Sequence, residues 1–173
     1  MKVIGIAGWS GAGKTTLLKR TIPHLLKEGL RVSVIKHAHH EFDVDVPGKD
    51  SWEHRQAGAA EVLVSSSRRW ALMHELRGAA EPRLQDLLGR MTPVDLVLVE
   101  GFKREPHRKI EVHRAANGKP WLFPDDPGIV GIVTDADVDT RLPVVSLDDI
   151  DAAAALIKRS AISIEDLFSK ATV

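Results

Sequence analysis

Val3-Ile4-Gly5-Ile6-Ala7, followed at once by Gly8-Trp9-Ser10-Gly11-Ala12-Gly13-Lys14-Thr15-Thr16, is the stretch from which the fold is read. The first five residues form a short apolar, partly β-branched run, which predicts a buried strand. Beyond Lys14, residues Leu17, Leu18, Ile22, Leu25 and Leu26 recur on one helical face, and Gly29 stands where that helix should stop. Pro23 falls late, where it should kink the last turns and spare the first. Between strand and helix lies Gly-x-x-x-x-Gly-Lys-Thr, a phosphate-binding turn. Its glycines let backbone N–H groups converge on phosphate oxygens, and the helix N-terminus adds partial positive charge. Lys14 supplies a point charge for the β- and γ-phosphates, the Thr15 hydroxyl suits Mg²⁺, and Thr16 suits the α-phosphate region. The expected ligand is a nucleoside triphosphate with Mg²⁺.

Arg31–Lys36 reads as a second strand, so the chain opens with a strand–helix–strand unit of the kind that builds parallel sheets. Further along, Asp50 or Ser51 should cap a short helix through Gly58, and Glu61–Ser65 and Trp70–Met73 are strand-like. Glu81–Met91 carries Leu84, Leu87 and Leu88 at helical spacing. Val94–Val99 is the most apolar strand and must be central, whereas Lys109–His113 alternates like an edge strand. Ile129–Thr134 is another buried strand and Val144-Val145 a short last one. Asp148 or Asp149 should open a helix over 152–157, with one more amphipathic turn at Ile164–Phe168. Together these predict an α/β chain: a three-layer P-loop NTPase fold with a mostly parallel sheet of six or more strands flanked by helices. With no repeat and no obvious linker, residues 1–173 are expected to form one domain.

Composition narrows the function. Across 173 residues, 24 Lys and Arg balance 24 Asp and Glu, so no general field draws the surface onto nucleic acid or an acidic membrane. The absence of cysteine excludes disulfides, thiolate zinc sites and a Cys nucleophile, and fits a reducing cytoplasm. No apolar run approaches the ~18 residues of a membrane span. The opening run breaks into a Gly-rich turn too early for a secretory leader, so nothing is expected to be removed.

The phosphate loop needs a second acid to hold the metal's water or to orient an attacking one. Glu100 is placed for that, because a strand ending in a carboxylate delivers it to the phosphate crevice of an open α/β sheet. Asp95, at the strand's other end, should cap or solvate it. The stretch from Lys36 to Arg55 concentrates His, acidic and aromatic residues, and three readings stand beside one another. It is a zinc or nickel site on His37, His39 and His40, a solvated loop, or a switch segment whose Asp43 or Asp45 touches Mg²⁺ while its Lys and His groups meet an anionic ligand. Thr134-Asp135-Ala136-Asp137 follows a late strand, like the Asn/Thr-Lys-x-Asp element that reads guanine, but with Asp in place of Lys. Arg68, Arg69, Arg77, Arg83 and Arg104 are candidates for an arginine finger by composition only, and without a finger, worth about 10³ to 10⁵ in rate, turnover should be slow.

The phosphate loop, Lys36-His37-Ala38-His39-His40, Asp43-x-Asp45-x-Pro47-Gly48-Lys49-Asp50-Ser51, Arg55-x-Ala57-Gly58-Ala59 and Val99-Glu100-Gly101-Phe102-Lys103 together resemble the MobB family of molybdopterin-guanine dinucleotide biosynthesis adapters. The likeness runs from Lys2 to about Ile157. It implies a GTP-binding, weakly GTP-hydrolysing homodimer that assists a MobA-type nucleotidyltransferase in attaching GMP to molybdopterin. It also implies that Gly8 to Thr16 hold the triphosphate, that Thr15 and Glu100 form the Mg²⁺ environment, and that the loop from His37 to Asp50 lies beside nucleotide or pterin. Two other functions fit the phosphate loop alone: a small-molecule kinase with Arg77 and Arg83 as a lid, and a metallochaperone GTPase using the His loop.

Overall fold

The computed structural model describes residues 1–38, 42–103 and 105–169. It divides into two compact units, Met1–His37 with Arg90–Val173, and Ala38–Gly89.

The larger unit is an α/β sheet of the P-loop NTPase kind, mostly parallel and flanked by helices. Its strands are β1 (Lys2–Ala7), β2 (Val32–Lys36), β5 (Leu96–Glu100), β6 (Lys109–His113), β7 (Ile129–Thr134), β8 (Val144–Ser146) and β9 (Ile162–Ser163). The order is β2-β5-β1-β6-β7-β8, all parallel, with β9 antiparallel to the first residues of β1. Strand β6 pairs β1 only from Gly5 onward, and β9 occupies the place beside Lys2 and Val3 that β6 leaves open. Helix α1 (Lys14–Lys27) runs through Pro23, and α4 (Ile150–Ser160) is capped by Asp149, whose side chain accepts the Ala152 N–H. Leu17, Leu18 and Leu25 of α1 and Ala153, Leu156 and Ile157 of α4 join Ile4, Ile6, Leu98, Ile110, Val112 and Val133 in one buried cluster. Burying such side chains contributes about 1.5–3 kcal/mol each, which pins both helices to this face. Helix α5 (Ile164–Ser169) closes the described chain.

Lys109–His113 is not an edge strand. It lies inside the sheet between β1 and β7, and all five residues are buried. Ile110 and Val112 face the cluster, so Lys109, Glu111 and His113 point the other way, and each is met by the connection that follows. Lys109 Nζ pairs with Asp126 at 2.9 Å, and Glu111 accepts the N–H groups of Leu122 and Phe123 at 2.8 and 2.9 Å. His113 donates to Lys119 O and stacks on Trp121 at 3.7 Å. The alternation is real, but the polar face is covered by loop.

The smaller unit holds α2 (Asp50–Gln56), an antiparallel hairpin of β3 (Glu61–Ser65) and β4 (Trp70–His74), and α3 (Leu84–Leu88). Neither Asp50 nor Ser51 caps α2. Lys49 is its N-cap, and the Ser51 hydroxyl donates instead to Asp45. The helix expected over 81–91 is confined to Leu84–Leu88: Pro82 precedes its N-cap Arg83 and Gly89 follows its last turn. At the heart of this unit Arg55, with a side chain only 10% exposed, bonds both oxygens of Asp43 and reaches Asp45 and Glu75. These bonds hold both aspartates below the usual carboxylate range, Asp43 chiefly through Arg55 and Asp45 chiefly through Ser51.

Candidate phosphate-binding site

The turn Gly8–Gly13 leaves β1 at its C-terminal end and delivers the chain to α1. At its two ends only glycine serves. Gly13 is the N-cap with φ 95°, a left-handed conformation, and a Cβ on Gly8 would stand 2.4 Å from Val112 O. Helix α1 has no side-chain cap and no acidic residue in its first turn, so the N–H groups there are not answered by a carboxylate of the helix itself. That is the arrangement in which helix N-termini take anions.

Lys14 folds across the turn and donates to Gly8 O and Trp9 O at 2.9 and 3.0 Å. Burial lowers its ammonium pKa first, with Lys103 and Lys36 adding to the effect and Glu100 opposing it. Three lysines thus converge on the mouth of the loop. One carboxylate stands among them: Glu100, at the end of β5 and opposite Ile6 of β1, accepts the Thr15 hydroxyl at 3.0 Å. His37, directly after β2, donates its N–H to Glu100 O and stacks its ring on Phe102 at 4.5 Å. Phe102 itself adopts φ 50°, a sharp turn away from the strand end. Asp95 serves the far end of the strand, accepting the Arg31 N–H and Nε.

The structure therefore brings Gly8 to Thr16, His37 and Glu100 to one edge of the sheet, with Thr134 ending β7 and Asp137 following it at the same edge. Thr134 is buried, and its hydroxyl accepts the Ala136 N–H, whereas Asp137 is exposed. Asp45 belongs to the smaller unit. One carboxylate oxygen accepts the Ser51 hydroxyl and the Val46 N–H, and the other meets Arg55. Of the candidate arginines, Arg77 donates to Arg55 O and Ala59 O, Arg83 pairs with Asp86, Arg68 and Arg69 are exposed, and Arg104 lies outside the described residues. His39 and His40 also lie outside them, and among the described residues no group of three His, Asp or Glu is placed to hold a metal.

Sequence reasoning missed the wall beside the loop. The connection after β6 fastens the turn at several points: Trp9 Nε1 donates to Pro120 O at 2.7 Å, and Asn117 Nδ2 donates to Ser10 O at 2.9 Å. Lys103 lies over the Trp9 ring, and the Arg114 guanidinium packs beside Gly13. The signal was the polar alternation of Lys109, Glu111 and His113, which demands covering partners once the strand is interior.

With this geometry in place, the comparisons with known proteins are decisive. Residues 3–135 match the family model for MobB, "Molybdopterin guanine dinucleotide synthesis protein B". The chain belongs to the MobB family. The Molybdopterin-guanine dinucleotide biosynthesis adapter protein of Escherichia coli (strain K12) is 42% identical over 158 residues, covering 90% of each chain. That of Haemophilus influenzae (strain ATCC 51907 / DSM 11121 / KW20 / Rd) is 41% identical over 159 residues, covering 90% of this chain and 87% of its own. Among solved structures, one described as molybdopterin-guanine biosynthesis protein B (mobB) superposes with a TM-score of 0.72 at 28% identity, over 90% of this chain and 97% of its own. The Bacillus subtilis MobB structure has the same fold, with a TM-score of 0.71 at 21% identity over 94% of this chain and 99% of its own. The span of this MobB-family chain that matches the family model contains the phosphate loop, Glu100 and the Asp43–Arg55 segment.

Proposed function

We propose that this chain is a GTP-loaded adapter of molybdopterin guanine dinucleotide synthesis, supporting a MobA-type nucleotidyltransferase that joins GMP to molybdopterin. The observation that carries this is the uncapped N-terminus of α1 with Lys14 and Thr15 on it and Glu100 hydrogen-bonded to Thr15, in a chain whose relatives are named adapters of that synthesis. Gly8 to Gly13 wrap the phosphates with backbone N–H groups, Lys14 turns from Gly8 O and Trp9 O to the terminal phosphates, and Thr16 takes the α-phosphate region. Thr15 and Glu100 fit Mg²⁺: a hydroxyl and a carboxylate are hard oxygen donors, already 3.0 Å apart. The metal would supply charge neutralisation at the β- and γ-oxygens. Glu100 and Lys14 are then the groups on which slow hydrolysis depends. His37, stacked on Phe102 and bonded to the Glu100 carbonyl, fixes the floor of the terminal-phosphate side. Asp137, exposed after β7, is the group left to read the guanine edge, with Thr134 holding its turn.

Asp45 acts through the Arg55 network, ordering the segment that would meet pterin or nucleotide. The protein works in the cytoplasm as one nucleotide-binding domain per chain, in a homodimer. Support for self-association comes from the hairpin, where Leu63, Val64, Trp70 and Leu72 are exposed on a two-stranded sheet, a structure only marginally stable without partners. No helix among the described residues is long and apolar enough to cross a membrane.

The direct test is calorimetric titration of the folded protein with GTP and ATP in the presence of Mg²⁺, followed by a guanylyl-transfer assay with the partner enzyme. GTP binding without any acceptor and a raised yield of the dinucleotide cofactor are expected. Heat with neither nucleotide, or ATP consumption only on adding an acceptor, would reject the adapter reading.

A further inference from the structure

With Glu100 bonded to Thr15 on the β5 side of β1, a triphosphate in this loop would have its terminal end on that side and its sugar and base toward β6 and β7. On that side the segment after β7 carries an acid, Asp135, where guanine-reading elements carry a lysine. Asp135 is not free to read a base. Its Oδ1 accepts the Ala115 N–H at 2.7 Å and its Oδ2 faces the Arg114 guanidinium at 4.0 Å. The cation missing from β7 is thus supplied from the end of its neighbour β6. Arg114 lies against the start of α1: a Cβ on Gly13 would stand 3.5 Å from one of its terminal nitrogens and 3.8 Å from Nε. Its side chain is nevertheless 43% exposed. A guanidinium with a carboxylate 4.0 Å from its edge leaves its flat faces for an aromatic ring, a stacking geometry an ammonium lacks.

We infer that Arg114 is the platform on which the purine ring of the bound nucleotide stacks, with Asp135 a positioning residue that holds it there. This rests on the reading of the loop as a nucleotide site, and adds how the nucleoside, as distinct from the phosphates, is gripped. The division of labour is then simple: Asp135 serves the arginine, and Asp137 is left for the base edge.

The experiment compares GTP with inorganic triphosphate, both with Mg²⁺, by calorimetry on the parent protein, Arg114→Ala, Arg114→Lys and Asp135→Asn, with thermal unfolding as the folding control. Arg114→Ala is expected to weaken GTP by about tenfold while moving inorganic triphosphate less than about twofold. Arg114→Lys, which keeps the charge but not the plane, should retain most of that loss, and Asp135→Asn should show a smaller one with the same selectivity. If Arg114→Ala does not fold, the other two variants decide the matter. Unchanged GTP affinity, full rescue by lysine, or an equal loss for both ligands would each overturn the assignment. A parent that binds triphosphate and GTP equally would also overturn it while leaving the phosphate site standing. A parent that binds neither removes the underlying site and the inference with it.

Discussion

Thr15 and Glu100, 85 positions apart in the chain, are joined by a hydrogen bond of 3.0 Å. The parallel pairing of β1 with β5, which sets Ile6 opposite Glu100, makes that possible. It ties the first residues of α1 to the end of a strand read as central from its apolar run alone. Glu100→Gln preserves an acceptor for Thr15 and removes the charge. The fold should be retained, while Mg²⁺-dependent GTP hydrolysis and the affinity for Mg²⁺ fall by about 10- to 100-fold. Phosphate release measured across a Mg²⁺ titration checks this, and equal turnover in mutant and parent would remove Glu100 from the site.

Lys14→Ala should weaken triphosphate binding by about 2–3 kcal/mol, the worth of a charge-assisted hydrogen bond, with little effect on unfolding. The wild-type lysine adds a pH signature. Burial and the nearby Lys103 and Lys36 hold its pKa below the ordinary value, and bound phosphate would raise it again. Binding must then take up protons on the alkaline side, so affinity should decline there as pH rises, and decline less in the alanine variant. Titrations in buffers of different ionisation enthalpy would reveal the proton uptake. Parallel pH profiles for the two proteins would contradict it.

How much of this was legible beforehand depended on how local the cause was. Glycine spacing, a basic side chain and an apolar strand ending in an acid are patterns within a dozen residues, and they place the glycine turn between β1 and α1 and the carboxylate at the end of β5, as the structure has them. The position of β6 was misjudged for a physical reason. Lys109, Glu111 and His113 look like a solvent face, but Asp126, the N–H groups of Leu122 and Phe123, and Trp121 answer them from a connection whose path no periodicity encodes. Arg114 and Asn117 were missed for the same reason, since their contacts with Gly13 and Ser10 cross about 100 positions of chain. Asp45, with Asp43 as the alternative, is read as a Mg²⁺ contact from its place in a loop after the second strand; that its carboxylate also meets Ser51 and Arg55 is evident only from the folded unit.

His107 lies over Gly5, so closely that a Cβ there would stand 2.3 Å from its Nε2. Among the described residues neither buried ring nitrogen has a hydrogen-bond partner, and burial, with Lys109 nearby, lowers the ring's pKa to about 4. The native state therefore resists a proton that the unfolded chain accepts near pH 6.5. Stability is complete above that value, declines as pH falls from about 6.5 to 4, and levels off below, a loss of roughly 3 kcal/mol from this group. Denaturant unfolding of His107→Leu across pH 4–7 should lack this component. Gly5→Ala should destabilise at every pH by about 1–3 kcal/mol through overpacking. An unchanged slope in His107→Leu would place the acid sensitivity elsewhere.

The hairpin supplies the last test. Leu63 stands opposite Leu72 and Ser65 opposite Trp70, so these side chains share one face of a sheet only two strands wide. Trp70 is 65% and Leu63 59% exposed. At about 25 cal/mol per Å² such side chains favour burial, and a second copy of the same face is self-complementary by symmetry. The protein should elute and scatter light as a dimer, and Trp70→Glu combined with Leu72→Lys should give a monomer whose GTP affinity is unchanged, since neither residue belongs to the phosphate site. A parent that is monomeric at high micromolar concentration would dispose of the homodimer, and a double variant that stays dimeric would move the interface off the hairpin.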